Sequence, residues 1–161
     1  VSSYGDKPSW AKSSNARWEE NNDVFIRAAS TVKGSEKVDT CYELAKLNAK
    51  EILILEIQSS IKGTIDNTFE SMSQSTMIVL GKSKTSEFAG QITDLNVTEK
   101  YFEKSMMGGV ERIECQLLSK ITHINYNKMK QLIVDKVQEV DPQIKEAVRQ
   151  ERIDFFARSN K

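Results

Sequence analysis

Histidine is the side chain most often used as a general base near neutral pH, and this sequence has one, His123. Its nearest acids in sequence, Glu114 and Asp135, stand at no motif spacing. His123 therefore reads as a polar residue at the end of a strand. A zinc site needs three or four converging His, Cys or carboxylate ligands. One histidine and two distant cysteines, Cys41 and Cys115, do not supply them. The acidic loop of a calcium site is absent, as are the glycine-rich loops that cradle phosphates and the G-x-S-x-G turn that carries a nucleophilic serine. Glu19 and Glu20 are neighbours in a polar turn, not carboxylates spaced about a sugar ring. No catalytic, metal-binding or cofactor-binding residue is assigned, and a non-enzymatic role without cofactors is expected.

The remaining candidates are contact residues. Met106 and Met107 fall at a hairpin tip, where flexible, polarizable side chains suit adaptable protein contacts; the alternative is that both fold over the sheet edge. Phe155 and Phe156 lie in a last amphipathic helix that docks on the domain or on a neighbour. Cys41 shares a helical pattern with Leu44, Ala45 and Ile52, and Cys115 alternates with Ile113 and Leu117. Both read as small buried apolar residues. A disulfide between them is the alternative, and it depends on a distance that spacing does not give. Asn96-Val97-Thr98 matches a glycosylation sequon, but such matches are common by chance.

The elements that must position these residues follow from composition and pattern. The chain has 161 residues, 39% hydrophobic and 29% charged, the mix of a folded globular protein. Lys+Arg and Asp+Glu are both 23, so no basic excess points to nucleic acid. Zero net charge also leaves little repulsion between copies, which permits self-association. No apolar run approaches the roughly 18 residues of a membrane span.

Residues 1–19 are polar and read as a flexible lead-in, with Trp10 and Trp18 able to pack back. Val24–Val32 reads as a first strand. Ser35 and Glu36 open a long helix over about 36–62, apolar nearly all round at Ile52–Ile57. Residues 64–91 read as a second helix with Gly81 a weak point inside it; Met77–Leu80 also fits a short strand. Ile92–Phe102 and Val110–Ile124 alternate as two antiparallel strands joined through Met106-Met107-Gly108-Gly109. Met129, Leu132, Ile133, Lys136, Val137 and Val140 continue as a helix, and Pro142 opens another. The expectation is an α+β domain over 20–140, order β-α-α-β-β-α-α, followed by a C-terminal amphipathic helix over 141–161.

Pro8-Ser9-Trp10, the strand Phe25–Ser30, the helix segment Glu43–Glu51 and the closing hairpin built from Leu95–Tyr101 and Val110–Ile121 together resemble the LPP-twenty family of small bacterial envelope lipoproteins, which includes a flagellar assembly lipoprotein. The resemblance covers about residues 8–124. It implies a dodecin-like fold, with long helices packed on a small antiparallel sheet. It also implies a lipid anchor at a cysteine upstream of Val1 and a place in the bacterial periplasm or outer membrane. The role it implies is a structural or adhesion module working through protein partners or self-association, with a flagellar-associated assembly factor as a variant. The Ile52–Leu55 block, the fewer alanines and the tail after Pro142 depart from the family pattern. A small-ligand or glycan module, holding its ligand between the long helix and the sheet, is the alternative expectation.

Overall fold

Val24, Ile26 and Ala28 alternate with less buried neighbours, and a strand forms there because a half-buried pleat has period two. The computed structural model of the chain describes residues 2–3, 6–144 and 146–150. The fold is α+β, with helices and an antiparallel sheet. It divides into two compact units, residues 1–52 with 94–121 and residues 53–93 with 122–161. The single 20–140 domain expected from the sequence is thus split.

The first unit holds the sheet. Its strands are β1 (Ser2–Ser3), β2 (Arg17–Glu20), β3 (Asp23–Lys33), β4 (Asn96–Met107) and β5 (Val110–Thr122), in the order β1-β4-β5-β3-β2. β4 and β5 form the expected hairpin, with Met107 opposite Val110. Gly108 and Gly109 make the two-residue turn at φ +59° and +81°, where glycine carries no Cβ penalty. β3 runs antiparallel to β5. The Gly34 N–H donates to the Glu111 carbonyl at 2.8 Å, and Lys120 lies 3.9 Å from Asp23.

Both faces of this sheet are covered. On one, Cys41, Tyr42 and Ala45 of the long helix α2 (Val38–Asn67) pack on Ile113, Cys115 and Leu117. On the other, Trp10 and Ala11 of α1 (Ser9–Lys12) pack on Tyr101 and Leu118, beside the stacked rings of Trp18 and Phe25. The expected flexible lead-in over 1–19 is therefore corrected. Among its described residues are a helical turn and an edge strand, and Trp10 and Ala11 supply the apolar surface that ties them down.

The second unit is helical. It contains the rest of α2, then α3 (Gln74–Val79), α4 (Lys82–Ala89), α5 (His123–Val140) and a helical stretch at 146–150. Buried positions along α2 recur every four residues at Cys41, Ala45, Ala49, Leu53, Ile57, Ile61 and Ile65. Steps of four drift by roughly 40° around a 3.6-residue helix. No one face of α2 is therefore apolar throughout, which explains the all-round apolar middle seen in the sequence.

The expected helix over 64–91 is corrected to two short ones after the end of α2. Phe69 sits at φ +58°, and the Glu70 and Phe69 N–H groups bond back to the Ile65 and Asp66 carbonyls. That pattern closes a helix C-terminus. Met77–Val79 is helical, not strand. Gly81 is the N-cap of α4 rather than a weak point inside a helix; a Cβ there would meet the Met77 carbonyl at 2.9 Å. Ile92 is buried in a loop, and β4 starts four residues later at Asn96. α5 starts at His123 and buries Tyr126, Asn127, Met129, Lys130, Ile133, Val134 and Val137. Lys136 is exposed and pairs with Glu139 instead of lying in the apolar stripe. Two extra strands and a helical turn precede or flank the expected element order. Of the proposed helix over 141–161, residues 146–150 are helical; Phe155 and Phe156 lie outside the described residues.

Candidate functional site

A concavity lies in the first unit, between the first half of α2 and the start of β4. It is a groove of about 830 Å³. Its origin is the way α2 is fastened. Cys41 and Cys115 are joined in a disulfide with their Cα atoms 6.1 Å apart, so the start of α2 is bonded to β5. The Cys41 sulfur also lies 3.3 Å from the Ser30 carbonyl; a disulfide sulfur has no proton, so this is close packing. Two turns further on, the Asn48 side-chain amide donates to the Ala29 carbonyl at 2.8 Å. α2 is thus held over β5 and β3, and the beginning of β4 is left with an open flank.

This replaces the expectation that the two cysteines are merely small buried apolar residues. Both are fully buried, but they are bonded to each other. The pairing could not be seen in the sequence because 74 positions separate them.

The groove is amphipathic. Tyr42, Leu47, Leu95, Val97 and Phe102 supply apolar surface, and Lys46, Lys50, Lys100 and Glu43 supply charge. Lys46 is paired with Glu43 at 3.0 Å. The Lys100 ammonium stands 5.1 Å from the centre of the Tyr42 ring, a cation–π arrangement. Leu47 is 58% exposed and adds apolar surface to the groove. The alternative expectation of a ligand held between the long helix and the sheet points to this place in the fold, but it names none of the lining residues. The available signal was Leu44 and Leu47, which fall off the four-residue stripe of Cys41, Ala45 and Ala49.

A β-bulge shapes the β4 side. Val97 lies opposite Ser119 and Glu99 opposite Leu118, so Thr98 is the extra residue. Its hydroxyl donates to the Leu118 carbonyl at 3.0 Å. Because the bulge shifts the alternation by one, Val97, Lys100 and Phe102 point to the α2 side while Glu99 and Tyr101 point away. The sequon residues Asn96 and Thr98 thus belong to the bulge and the lip of the groove.

The other sequence candidates fall elsewhere. Met106 and Met107 end β4 and are 64% and 54% exposed, beside exposed Val110. His123 is not at a strand end. It is the first residue of α5, after Thr122, whose hydroxyl caps the Asn125 N–H at 3.2 Å. Among the described residues no three His, Cys, Asp or Glu side chains are grouped to hold a metal ion. Among the same residues no helix is long and apolar enough to cross a membrane.

One polar cluster in the second unit is structural. The Asp141 carboxylate accepts from the Thr76 hydroxyl at 3.2 Å and the Ser73 N–H at 3.4 Å. Hydrogen bonding by the Ser73 side chain, supported by Thr76 and backbone N–H groups, outweighs burial and holds Asp141 below the ordinary carboxylate value of 3.8. Ser73 also caps α3 by accepting from the Thr76 N–H. The cluster ties a helix start to a helix end and offers no acid–base pair.

Comparison with protein-family models, with curated proteins and with solved structures finds no match to this chain.

Proposed function

We propose that the chain is a non-enzymatic module of a bacterial cell envelope, the part of an outer-membrane lipoprotein that makes structural or adhesive protein–protein contacts. The observation that carries this reading is the Cys41–Cys115 disulfide. Such bonds persist in oxidising compartments, the bacterial periplasm among them, and are rare in a reducing cytosol. The exposed apolar residues Leu47, Met106, Met107 and Val110 add surface suited to partners. The dodecin-like arrangement and the likeness to LPP-twenty lipoproteins draw support from α2 packed on the antiparallel strands β4, β5 and β3.

The test is thiol trapping in intact source cells, combined with membrane fractionation. Expected is a chain that resists alkylation until it is reduced and that sediments with the outer membrane. A cytosolic chain with two alkylatable thiols would overturn the reading. A second reading, a small-ligand or glycan module, is favoured by the groove itself. Thermal-shift panels of glycans and lipids test it; a raised melting temperature that groove substitutions abolish would establish it.

A further inference from the structure

The groove is bordered by a sheet edge as well as by side chains. In the sheet order, β4 has β5 on one side and only β1 on the other. β1 meets β4, among the described residues, through Ser2 opposite Lys104 and Ser3 opposite Glu103. Among the described residues, the outer edge of Asn96–Lys100 has no strand beside it. Six consecutive residues, Leu95–Lys100, line the groove. A strand that showed only one face would contribute alternate residues; a consecutive run means that its backbone edge faces the cavity.

We propose that an extended peptide segment of a partner protein docks here, adding as a strand to the Asn96–Lys100 edge with alternate side chains in the groove under α2. This rests on the reading of the chain as a protein-contact module and names its partner's chemistry. An open edge supplies main-chain donors and acceptors, and the flanking groove supplies side-chain selection. The helix-side positions are Val97 and then Lys100. Lys50 faces the same groove, and neither Lys50 nor Lys100 is paired with a carboxylate among the described residues. Glu43 is taken by Lys46, and Glu99 points to the other face. The complementary strand therefore carries an apolar residue against Val97 and Leu47 and an acidic residue against Lys100 and Lys50.

A second copy fits this edge poorly. Two such edges meeting about a twofold axis at Thr98 would set Glu99 opposite Val97 and Lys100 opposite Asn96, so a second copy brings no acidic residue against Lys100 and places a charge against the apolar Val97.

The experiment uses the full chain and fluorescence anisotropy. The probe is a short labelled peptide that alternates Val and Glu on one face with Thr and Lys on the other. Two controls accompany it, one with Lys in place of each Glu and one N-methylated at alternate backbone nitrogens. The expected result is saturable binding of the acidic peptide, about tenfold weaker binding of the charge-reversed one, none of the N-methylated one, and slowed amide exchange confined to residues 95–102. The exposed-site substitution Lys100→Glu, with an unchanged melting temperature, should weaken the acidic peptide and favour the reversed one.

Equal binding of all three peptides, no binding at all, or a dimer with protected β4 amides would overturn the proposal. The thiol-trapping outcome is independent. An envelope location without peptide binding sinks this inference alone, and peptide binding by a cytosolic chain sinks the envelope reading alone.

Discussion

The two units of this chain are held together by different means. In the sheet unit, the decisive ties join residues far apart in sequence: the Cys41–Cys115 disulfide, the β3–β5 pairing and the Asn48–Ala29 hydrogen bond. In the helical unit, buried polar side chains stitch helix ends and corners. Gln58, 2% exposed, donates to the Val79 and Gly81 carbonyls and accepts from the Thr85 hydroxyl. Glu70 accepts the Glu146 and Ala147 N–H groups at the start of the helical stretch at 146–150. Covalent and ladder ties leave the covering helix at fixed points, so a flank of the sheet can stay open as a groove. Ties at caps and corners close the gaps between helices instead. The small apolar void among Ile61, Ile65, Val134, Val137, Ile144, Ala147 and Val148 is about 10 Å³, too small to serve as a ligand site.

The largest effect expected is on the covalent side of this comparison. Replacing both cysteines by serine removes a link across 74 positions, which the chain-entropy account values at about 4 kcal/mol. Denaturant melts should show that loss, and reduction of the native chain should reproduce it. Amide exchange should rise most in α2 residues 38–50 and in β5. Equal loosening of α3 and α4 would break the distinction between the units.

The polar side is tested next by Gln58→Met, which keeps most of the volume and deletes every hydrogen bond of the side chain. The two carbonyls and the Thr85 hydroxyl lose a buried partner, at a cost of about 2 to 3 kcal/mol. Circular-dichroism melts measure it. A change below about 0.5 kcal/mol would mean that Gln58 merely fills space.

These ties also mark how far the sequence was legible. Strand β3, the β4–β5 hairpin and the bodies of α2 and α5 could be read because their burial follows period two or period 3.6. Cys41 and Cys115 looked like ordinary core positions, since their patterns are the same whether or not they are bonded. Residues 64–91 mislead because the breaks are set by local hydrogen bonds: a left-handed helix end at Phe69, an N-cap at Ser73 and a tight corner at Gly81. Lys136, expected in the apolar stripe, stands one residue from it, and Lys130 lies in it, with its ammonium on the Ser60 hydroxyl at 3.3 Å. A place between the long helix and the sheet is legible as an alternative, but the lining of the groove is not, because it depends on which strands α2 is tied to. The polar surround of Trp10 hides in the sequence the turn that it anchors.

A smaller effect should come from Asp141, through pH. Its carboxyl is held below the ordinary value by the Ser73 and Thr76 hydrogen bonds. A group depressed in the folded state adds stability above its unfolded value, near 3.8 to 3.9, and loses it as the pH falls through the folded value. Asp141→Asn should therefore cost about 1 kcal/mol at neutral pH, after allowance for solvent screening. The gap to the native chain should narrow below pH 4 as the native carboxyl takes up its proton. A gap that is constant from pH 7 to pH 2 would remove the carboxylate's charge from the account of the helical unit.

The smallest effect expected has the opposite sign. Phe69 is 95% exposed and sits in the left-handed region at the residue after the α2 C-cap, where glycine is the usual occupant. A bulky side chain there carries backbone strain and gains no burial in return. Phe69→Gly relieves the strain while giving up some of the chain stiffness that a side chain imposes on the unfolded state. The net expectation is a gain of about 0.5 kcal/mol, read as a rise of a few degrees in the melting temperature. The peptide binding argued for β4 should be unaltered, because Phe69 belongs to the helical unit. A loss of stability would show that Phe69 is covered by its own chain. Loss of peptide binding would show that the edge of β4 is not sufficient as the docking site.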